Sequence, residues 1–218
     1  MPLGNSTSKN AAMRALGAEL IEHGHDFQAA YEFAKDLARD RGLHMVGSFH
    51  PWLIEGVATY PIELFSACPD LETVYVPIGL GSGICSTIAA RDMLGLKTKI
   101  VGVVSAHAAA YALSFKAGKS ISTNSADTIA DGMACRVPVD DALSILRGGA
   151  DRVVEVTDDE VKAAMRIYFD DTHNVAEGAG AAALAALLKE GAAQAGKKVG
   201  LVLSGGNVDA PLFRNILN

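Results

Sequence analysis

The run Val74–Gly83 constrains the fold of this chain most, because it joins an apolar strand pattern to a glycine-rich turn and the start of a helix. Its first half alternates as in a β-strand, and its second half carries three glycines that let the backbone turn and approach a ligand closely. Ile84 and Ile88 then begin a helical stripe. Unpaired amide groups and the positive end of a helix dipole favour an anion at such a turn. The run therefore predicts a phosphate site, although the same pattern also suits an ordinary tight connection.

The charge balance narrows the class of partner. The 218 residues carry a formal net charge of −6 and no cluster of lysine and arginine, which argues against nucleic acid or an anionic membrane as the main partner. Cys68, Cys85 and Cys135 lie far apart in the sequence, so neither a disulfide framework nor a thiolate metal site is indicated. We expect a small-molecule ligand and a reducing, cytoplasmic location.

Strand-like and helical segments alternate along the chain, which is typical of a three-layer α/β fold with a mostly parallel sheet. Apolar residues recur at helical spacing from Phe27 to Ala38 and from Val161 to Phe169, and Thr157 and Glu160 have the spacing of a capping box before the second stripe. The predicted strands are Ala18–Glu22, His44–Val46, Thr73–Ile78, Lys99–Val104, Arg152–Val156 and Val199–Leu203.

A second glycine-rich turn, Ser204–Asn207, follows the last predicted strand. The Ser204 hydroxyl would lie at the carboxyl edge of the sheet, where open α/β sheets hold their ligands, and the Gly79–Gly83 turn would lie at the same edge. The composition Ser-Gly-Gly-Asn is also common in turns without a function. The prediction of a ligand site therefore rests on the two turns together.

Six segments occur in a characteristic order along essentially the whole chain: Lys9–Glu19, Gly56–Thr59, Gly79–Gly83, Thr128–Gly132, Glu177–Ala181 and Ser204–Asn207. In this respect the chain resembles the threonine/serine dehydratases, which are pyridoxal-phosphate enzymes of the tryptophan-synthase β-like fold. The resemblance implies pyridoxal 5'-phosphate as the cofactor and a β-elimination that converts L-threonine or L-serine to a 2-oxo acid and ammonia. It also implies an amino-acid substrate. Because a missing segment would expose apolar surface, we expect the chain to form a homo-oligomer or to depend on a partner chain.

The same resemblance assigns a cofactor site. It implies that the backbone amides of Gly79, Leu80, Gly81, Ser82 and Gly83 hold the phosphate, with Leu80 and Ser82 in place of glycines of the commoner tetraglycine loop. Gly132 and Glu177 would line the cofactor ring, and Ser204 would face the pyridine nitrogen. A neutral hydroxyl can leave that nitrogen unprotonated, which moderates the ring as an electron sink and favours β-elimination over transamination.

The chain departs from the family in one major respect. The lysine that carries the cofactor and the loop for the substrate carboxylate both lie upstream of the family segment that Lys9–Glu19 resembles. We therefore expect this chain to be the C-terminal part of a longer enzyme, with residues 1–44 a remnant of the smaller subdomain and 45–218 the large cofactor-binding subdomain. No catalytic residue is assigned, and the chain alone is expected to be inactive.

Ser114-Phe115-Lys116 copies the family's serine-phenylalanine-lysine signature, but it follows the phosphate loop and lies in a predicted helix that ends at Gly118. We interpret it as a coincidence. Some relatives bind a divalent cation after the strand that follows the phosphate loop, yet Val103–Ala110 offers no carboxylate there, so no metal is expected. His107, like His23 and His25, is interpreted as a surface or locally bonded residue.

Two alternatives from other classes remain. One is a non-catalytic remnant that binds phosphate compounds or a partner chain, which the missing lysine favours. The other is a nucleotide-binding domain of Rossmann type with Gly79–Gly83 as its fingerprint. The G-x-G-x-x-G spacing fails, because Ile84 stands three residues after Gly81, and no acidic residue ends the next strand.

Overall fold

A computed structural model describes all 218 residues. Four strands form the sheet: β1 Thr73–Pro77, β2 Lys99–Ser105, β3 Arg152–Val156 and β4 Val199–Leu201. The helices are α1 Thr7–Ala15, α2 Phe27–Asp40, α3 Pro51–Val57, α4 Thr59–Ala67, α5 Ser82–Met93, α6 Ala110–Ala117, α7 Asp140–Gly149, α8 Asp158–Thr172, α9 Gly178–Glu190 and α10 Ala210–Leu217. Short 3₁₀ turns span Asp131–Met133 and Gly191–Gln194.

The sheet is parallel throughout, in the order β3-β2-β1-β4. Thr73 of the central strand β1 is in register with Lys99 on one side and with Val199 on the other. Because both faces of a parallel sheet are covered by helices, its strands are continuously apolar, and β1 is buried from Thr73 to Val76. The predicted strands at 73–78 and 199–203 therefore lie side by side in one sheet.

Alternate side chains of β1 contact different helices, which gives the three layers. Val74 and Val76 pack in one apolar cluster with Ile84 and Ile88 of α5. Tyr75 points to the opposite face, where its hydroxyl donates to the carboxylate of Glu190 at the end of α9. The predicted three-layer α/β class is confirmed.

Two predicted strands are wrong. Ala18–Glu22 belongs to no sheet. Its backbone neighbour is the start of the chain: the Met1 amino group donates to the Ile21 carbonyl, and the His23 amide donates to the Met1 carbonyl, each at 2.8 Å. His44–Val46 is irregular, and the Val46 side chain is 75% exposed. Both segments have strand-like composition without a neighbouring strand to pair with.

The helical predictions are confirmed. The stripe from Phe27 lies in α2 and the stripe from Val161 lies in α8. Thr157 and Glu160 form the predicted capping box, in which each side chain accepts a hydrogen bond from the backbone amide of the other residue. α6 ends at Gly118, which adopts φ +71°.

The chain forms two compact units, one of Met1–Gly47 with Val208–Asn218 and the other of Ser48–Asn207. The second unit contains the whole sheet. The division into subdomains at residues 44 and 45 stays a prediction. No helix is long and apolar enough to cross a membrane.

Candidate functional site

A cavity of about 810 Å³ lies at the carboxyl edge of the sheet, within the unit Ser48–Asn207. The parallel strands β1 and β4 end there, so the turns that follow them meet. The cavity is lined by Ser48, Val57, Tyr60, Leu64, Val76, Pro77, Gly79, Leu80, Gly81, Ser82, Gly83, Gly132, Met133, Ala179, Leu201, Val202, Leu203 and Ser204.

The turn between β1 and α5 presents free amide groups to this cavity. The Ile78 amide still donates to the Val103 carbonyl of the neighbouring strand, at 2.8 Å. The next amide that donates to a backbone carbonyl is that of Cys85, whose acceptor is the Gly81 carbonyl at 3.0 Å. The amides in between belong to the turn and the first turn of α5, where the helix dipole favours negative charge. These groups can therefore bind an anion.

Two glycines of this turn cannot be replaced without displacing their neighbours. Gly81 caps α5 with φ +105°, and a Cβ there would lie 2.7 Å from the Cβ of Ala142. A Cβ on Gly79 would overlap the carbonyl oxygen of Gly132. The close packing holds the loop against the segments around Gly132 and Ala142, at the edge of the cavity that the loop lines.

Two tyrosines hydrogen-bond to carbonyl groups of the same loop. Tyr111 donates to the Leu80 carbonyl at 2.8 Å and accepts from the Val139 amide at 3.0 Å. Tyr60 reaches the Gly83 carbonyl at 3.3 Å and shares a 3.0 Å hydrogen bond with the Thr87 hydroxyl. Burial raises the pKa of both phenols, so both keep the proton that they donate.

A second wall of the site forms where α9 begins. The Glu177 amide donates to the Gly205 carbonyl at 3.0 Å, and a Cβ on Gly205 would lie 2.7 Å from the Glu177 carboxylate. A Cβ on Gly132 would lie 3.1 Å from that of Ala179. The glycines thus allow three backbone segments to meet, and the Glu177 carboxylate lies against Gly205, the residue that follows the exposed Ser204.

The structure brings together the residues that the sequence singled out. Gly79, Leu80, Gly81, Ser82, Gly83, Gly132 and Ser204 all line the cavity. Glu177 is not among the lining residues, but its carboxylate lies against Gly205, next to Ser204. The sequence analysis missed Tyr60 and Tyr111. Tyr60 directly follows the Gly56–Thr59 segment, so its position was a usable signal, whereas nothing in the sequence linked Tyr111 to the loop.

The serine-phenylalanine-lysine sequence lies elsewhere. Lys116 is exposed on α6 and does not line the cavity, and no lysine does. Ser114 is fully buried, where its hydroxyl donates to the Ala110 carbonyl at 2.6 Å and accepts from the Ile121 amide at 2.8 Å. These bonds tie the segment after the helix to α6, so Ser114 has a structural role in the local fold.

Histidine and carboxylate side chains form no cluster of three or more that could hold a metal ion. His107 borders a separate cavity of about 520 Å³ together with Asp127. His23 stacks on Phe33 with 4.0 Å between ring centroids, and His25 lies 3.4 Å from the Asp26 carboxylate. The local contacts of His23 and His25 agree with the interpretation from the sequence.

Comparison with known proteins identifies the class to which this fold and site belong. The sequence model of the family described as "Pyridoxal-phosphate dependent enzyme" matches residues 1–205, and the chain belongs to this family. L-threonine ammonia-lyase of Thermotoga maritima is 33% identical over 219 residues, which cover 100% of this chain and 54% of the relative. L-threonine ammonia-lyase of Geobacter sulfurreducens is 34% identical over 210 residues, 96% of this chain and 52% of the relative.

Among solved structures, the processed form of threonine deaminase isoform 2 from Solanum lycopersicum superimposes with a TM-score of 0.89 at 28% identity, covering 99% of this chain and 64% of that one. The resemblance to the threonine/serine dehydratases and their fold is thereby confirmed. The chain spans about half the length of the curated relatives that it matches.

Proposed function

We propose that this chain supplies the cofactor-binding part of a pyridoxal-phosphate-dependent dehydratase, which converts L-threonine or L-serine to a 2-oxo acid and ammonia. The observation that carries the proposal is the loop Gly79–Gly83, whose residues line the cavity and whose amide groups have no acceptor in the chain. Similarity to L-threonine ammonia-lyases supports the reaction.

The residues present fit the cofactor phosphate. The amides of Gly79, Leu80, Gly81, Ser82 and Gly83 are proposed to donate to its oxygens, with the dipole of α5 adding to the attraction. A Cβ at Gly79 or Gly81 would displace the segments that hold the loop in place. Leu80 and Ser82 can replace glycine because backbone amides, not side chains, make the proposed contacts.

The remaining site residues suit the ring. Gly132 leaves room beside Ala179, and Glu177 lies at the same wall. Ser204 is proposed to face the pyridine nitrogen from the turn after β4. Because a hydroxyl is neutral, it does not stabilise a protonated nitrogen as a carboxylate would.

When bound, pyridoxal phosphate supplies an electron sink for the carbanion that forms at the substrate α-carbon. The residues of this chain hold the phosphate and position the ring, and Ser204 sets the polarity of the ring nitrogen. Removal of the α-proton needs a base, and no lysine lines the cavity. We therefore propose that the 218-residue chain by itself does not complete the reaction.

The division into subdomains, the oligomeric state and the cellular location are also proposed. Residues 1–44 are assigned to a smaller subdomain and 45–218 to the large one, by analogy with the family. A homo-oligomer is supported by exposed apolar side chains, of which Trp52 on α3 is 77% exposed. A cytoplasmic location is proposed as well, and the three free cysteines agree with a reducing compartment. Sedimentation analysis of the chain with Trp52→Gln would test the oligomer: we expect the variant to dissociate, and an unchanged mass would reject Trp52 as a contact.

The proposal is tested by the protonation state of bound cofactor. Pyridoxal phosphate labelled with ¹⁵N in its ring would be added to the protein and to Ser204→Asp, with Ser125→Asp as a control at an exposed serine outside the cavity. We expect an unprotonated nitrogen in the wild type and in the control, and a protonated one in Ser204→Asp. Failure to bind the cofactor, or a signal that Ser204→Asp does not change, would contradict the assignment.

A further inference from the structure

Tyr111 lies behind the phosphate loop, outside the cavity. Its side chain is 2% exposed and extends from α6, about 30 residues after the loop in sequence. The hydroxyl is both a hydrogen-bond donor and an acceptor: it donates to the Leu80 carbonyl at 2.8 Å and accepts from the Val139 amide at 3.0 Å. Tyr111 thus links the loop to the residue that precedes α7.

Because the peptide bond is planar, the hydrogen bond from Tyr111 to the Leu80 carbonyl also fixes the direction of the Gly81 N–H. The peptide bond between Leu80 and Gly81 is trans, as are all others in the chain. In a planar trans peptide the C=O and N–H groups point in opposite directions. A hydrogen bond that holds the Leu80 carbonyl toward Tyr111 therefore directs the Gly81 N–H away from it, to the side on which Gly81 lines the cavity.

The start of α7 supports the same arrangement. Ala142 lies against Gly81, so that a Cβ on Gly81 would come within 2.7 Å of the Ala142 Cβ and within 3.4 Å of the Tyr111 hydroxyl. The Ala142 carbonyl accepts a weak hydrogen bond from the Cys85 thiol at 3.6 Å. Gly81 adopts φ +105°. Because glycine has no Cβ, other φ values are also open to it, and the peptide group before it is free to rotate. A hydrogen bond to the adjoining carbonyl removes this freedom.

We propose that Tyr111 is a positioning residue for phosphate recognition: by holding the Leu80 carbonyl, it keeps the Gly81 amide directed at the anion. The inference rests on the proposed function of the loop. It predicts that loss of the hydroxyl weakens binding of the phosphate and leaves binding of the ring unchanged.

The test compares two ligands that differ only in the phosphate, pyridoxine 5'-phosphate and pyridoxine. Neither has the aldehyde that would react with surface lysines. Calorimetric titration would give the dissociation constants for the wild type, Tyr111→Phe and Tyr75→Phe. Tyr75 is a matched control, because it is also buried and its hydroxyl is also hydrogen-bonded, but on the α9 face of the sheet and outside the cavity.

We expect Tyr111→Phe to weaken pyridoxine 5'-phosphate binding about fivefold to tenfold, as for the loss of one hydrogen bond, and to leave pyridoxine binding within twofold. Tyr75→Phe should lower the melting temperature without changing the ratio of the two affinities. Equal loss for both ligands, or no loss for the phosphate ester, would overturn the inference. If the wild type does not prefer the phosphate ester, the proposed phosphate loop itself is wrong.

A second variant covers the case in which Tyr111→Phe does not fold. Val139→Pro removes the amide that donates to Tyr111, at a residue whose φ of −82° is close to that of proline. We expect a smaller selective loss, about twofold to threefold, for pyridoxine 5'-phosphate. Unchanged affinity in a folded Val139→Pro protein would reject the link through Tyr111.

Discussion

Single glycines determine whether the loop can approach an anion. A side chain at Gly81 would be strained at φ +105° and would collide with Ala142. Gly81→Val is therefore expected to weaken pyridoxine 5'-phosphate binding more than tenfold, because the loop must move away from its position over the cavity. Calorimetric titration measures this loss.

Gly148 provides the control for that substitution. It lies in α7, has no positive φ, and a Cβ there would meet no atom within 4 Å. Valine has a somewhat higher helix propensity than glycine, so Gly148→Val should fold and keep the affinity of the wild type. Unchanged affinity in Gly81→Val would show that the loop tolerates a side chain and that the anion binds elsewhere.

Burial makes two of the three cysteines unreactive. It raises the pKa of the Cys85 thiol to about 12 and that of Cys135 to about 11. The thiolate is the reactive form, so at pH 8 both remain protonated. We expect iodoacetamide to label Cys68, which is only half-buried, and to leave Cys85 and Cys135 unlabelled by mass spectrometry. As a control, protein unfolded in guanidinium chloride should be labelled at all three cysteines. Rapid labelling of Cys85 in the native state would contradict its burial in the apolar cluster next to Ala142.

At the scale of elements, an ion pair joins β3 and α9 to the central strand. Arg152 donates to the Glu190 carboxylate through Nε at 2.7 Å, and the Tyr75 hydroxyl donates to the same carboxylate. The hydrogen bond from Arg152 lowers the pKa of Glu190. Because the folded state depresses this pKa, the stabilisation is present above the usual glutamate range and is lost as the pH falls through the folded-state pKa.

Glu190→Gln should therefore lower the free energy of unfolding at pH 7 by about 1.5–3 kcal/mol, the range for a hydrogen bond to a charged group. The difference from the wild type should shrink as the pH falls toward 3. Urea denaturation at several pH values measures both effects, with Glu155→Gln as a control on β3, because Glu155 is exposed. A difference that does not depend on pH would show that the charge of Glu190 is unimportant.

The strands that could be predicted from sequence are those that are apolar and have neighbours. β1 to β4 follow from short segments rich in valine, isoleucine and leucine. Ala18–Glu22 and His44–Val46 have similar composition but no partner strand, and a pairing partner is a tertiary property that local composition does not contain. The capping box of α8 was predictable because its two hydrogen bonds are local.

The candidate site was predictable in part: its glycine turns could be recognised from the sequence, and the tyrosine behind them could not. The glycine turns at 79–83 and 204–207 could be recognised because they need glycine at fixed positions and because parallel strands bring their carboxyl ends to one edge. The role of Tyr111 could not be recognised, since a tyrosine in a helix is ordinary core composition. Only the fold brings its hydroxyl to the Leu80 carbonyl.

At the scale of the whole molecule, every residue that lines the cavity lies in the unit Ser48–Asn207. We expect this unit to hold the phosphate and the ring of the proposed cofactor, although no lysine lines its cavity to act as a base. We therefore predict that binding of the cofactor and turnover of the substrate are separable properties of the chain. The first should be measurable in the protein as it stands, and the second should not.

We expect no release of 2-oxo acid when the 218-residue chain is incubated with L-threonine and excess pyridoxal phosphate. The physical reason is that no lysine lines the cavity to remove the α-proton, since Lys116 is exposed on α6 and is not among the lining residues. The L-threonine ammonia-lyase of Thermotoga maritima serves as the positive control in the same assay. Turnover by this chain that disappears in Lys116→Ala would show that the serine-phenylalanine-lysine sequence is catalytic and that the active site lies at α6. Turnover that persists in Lys116→Ala would instead require a base from another group of the chain, and it would contradict the separation of binding from turnover.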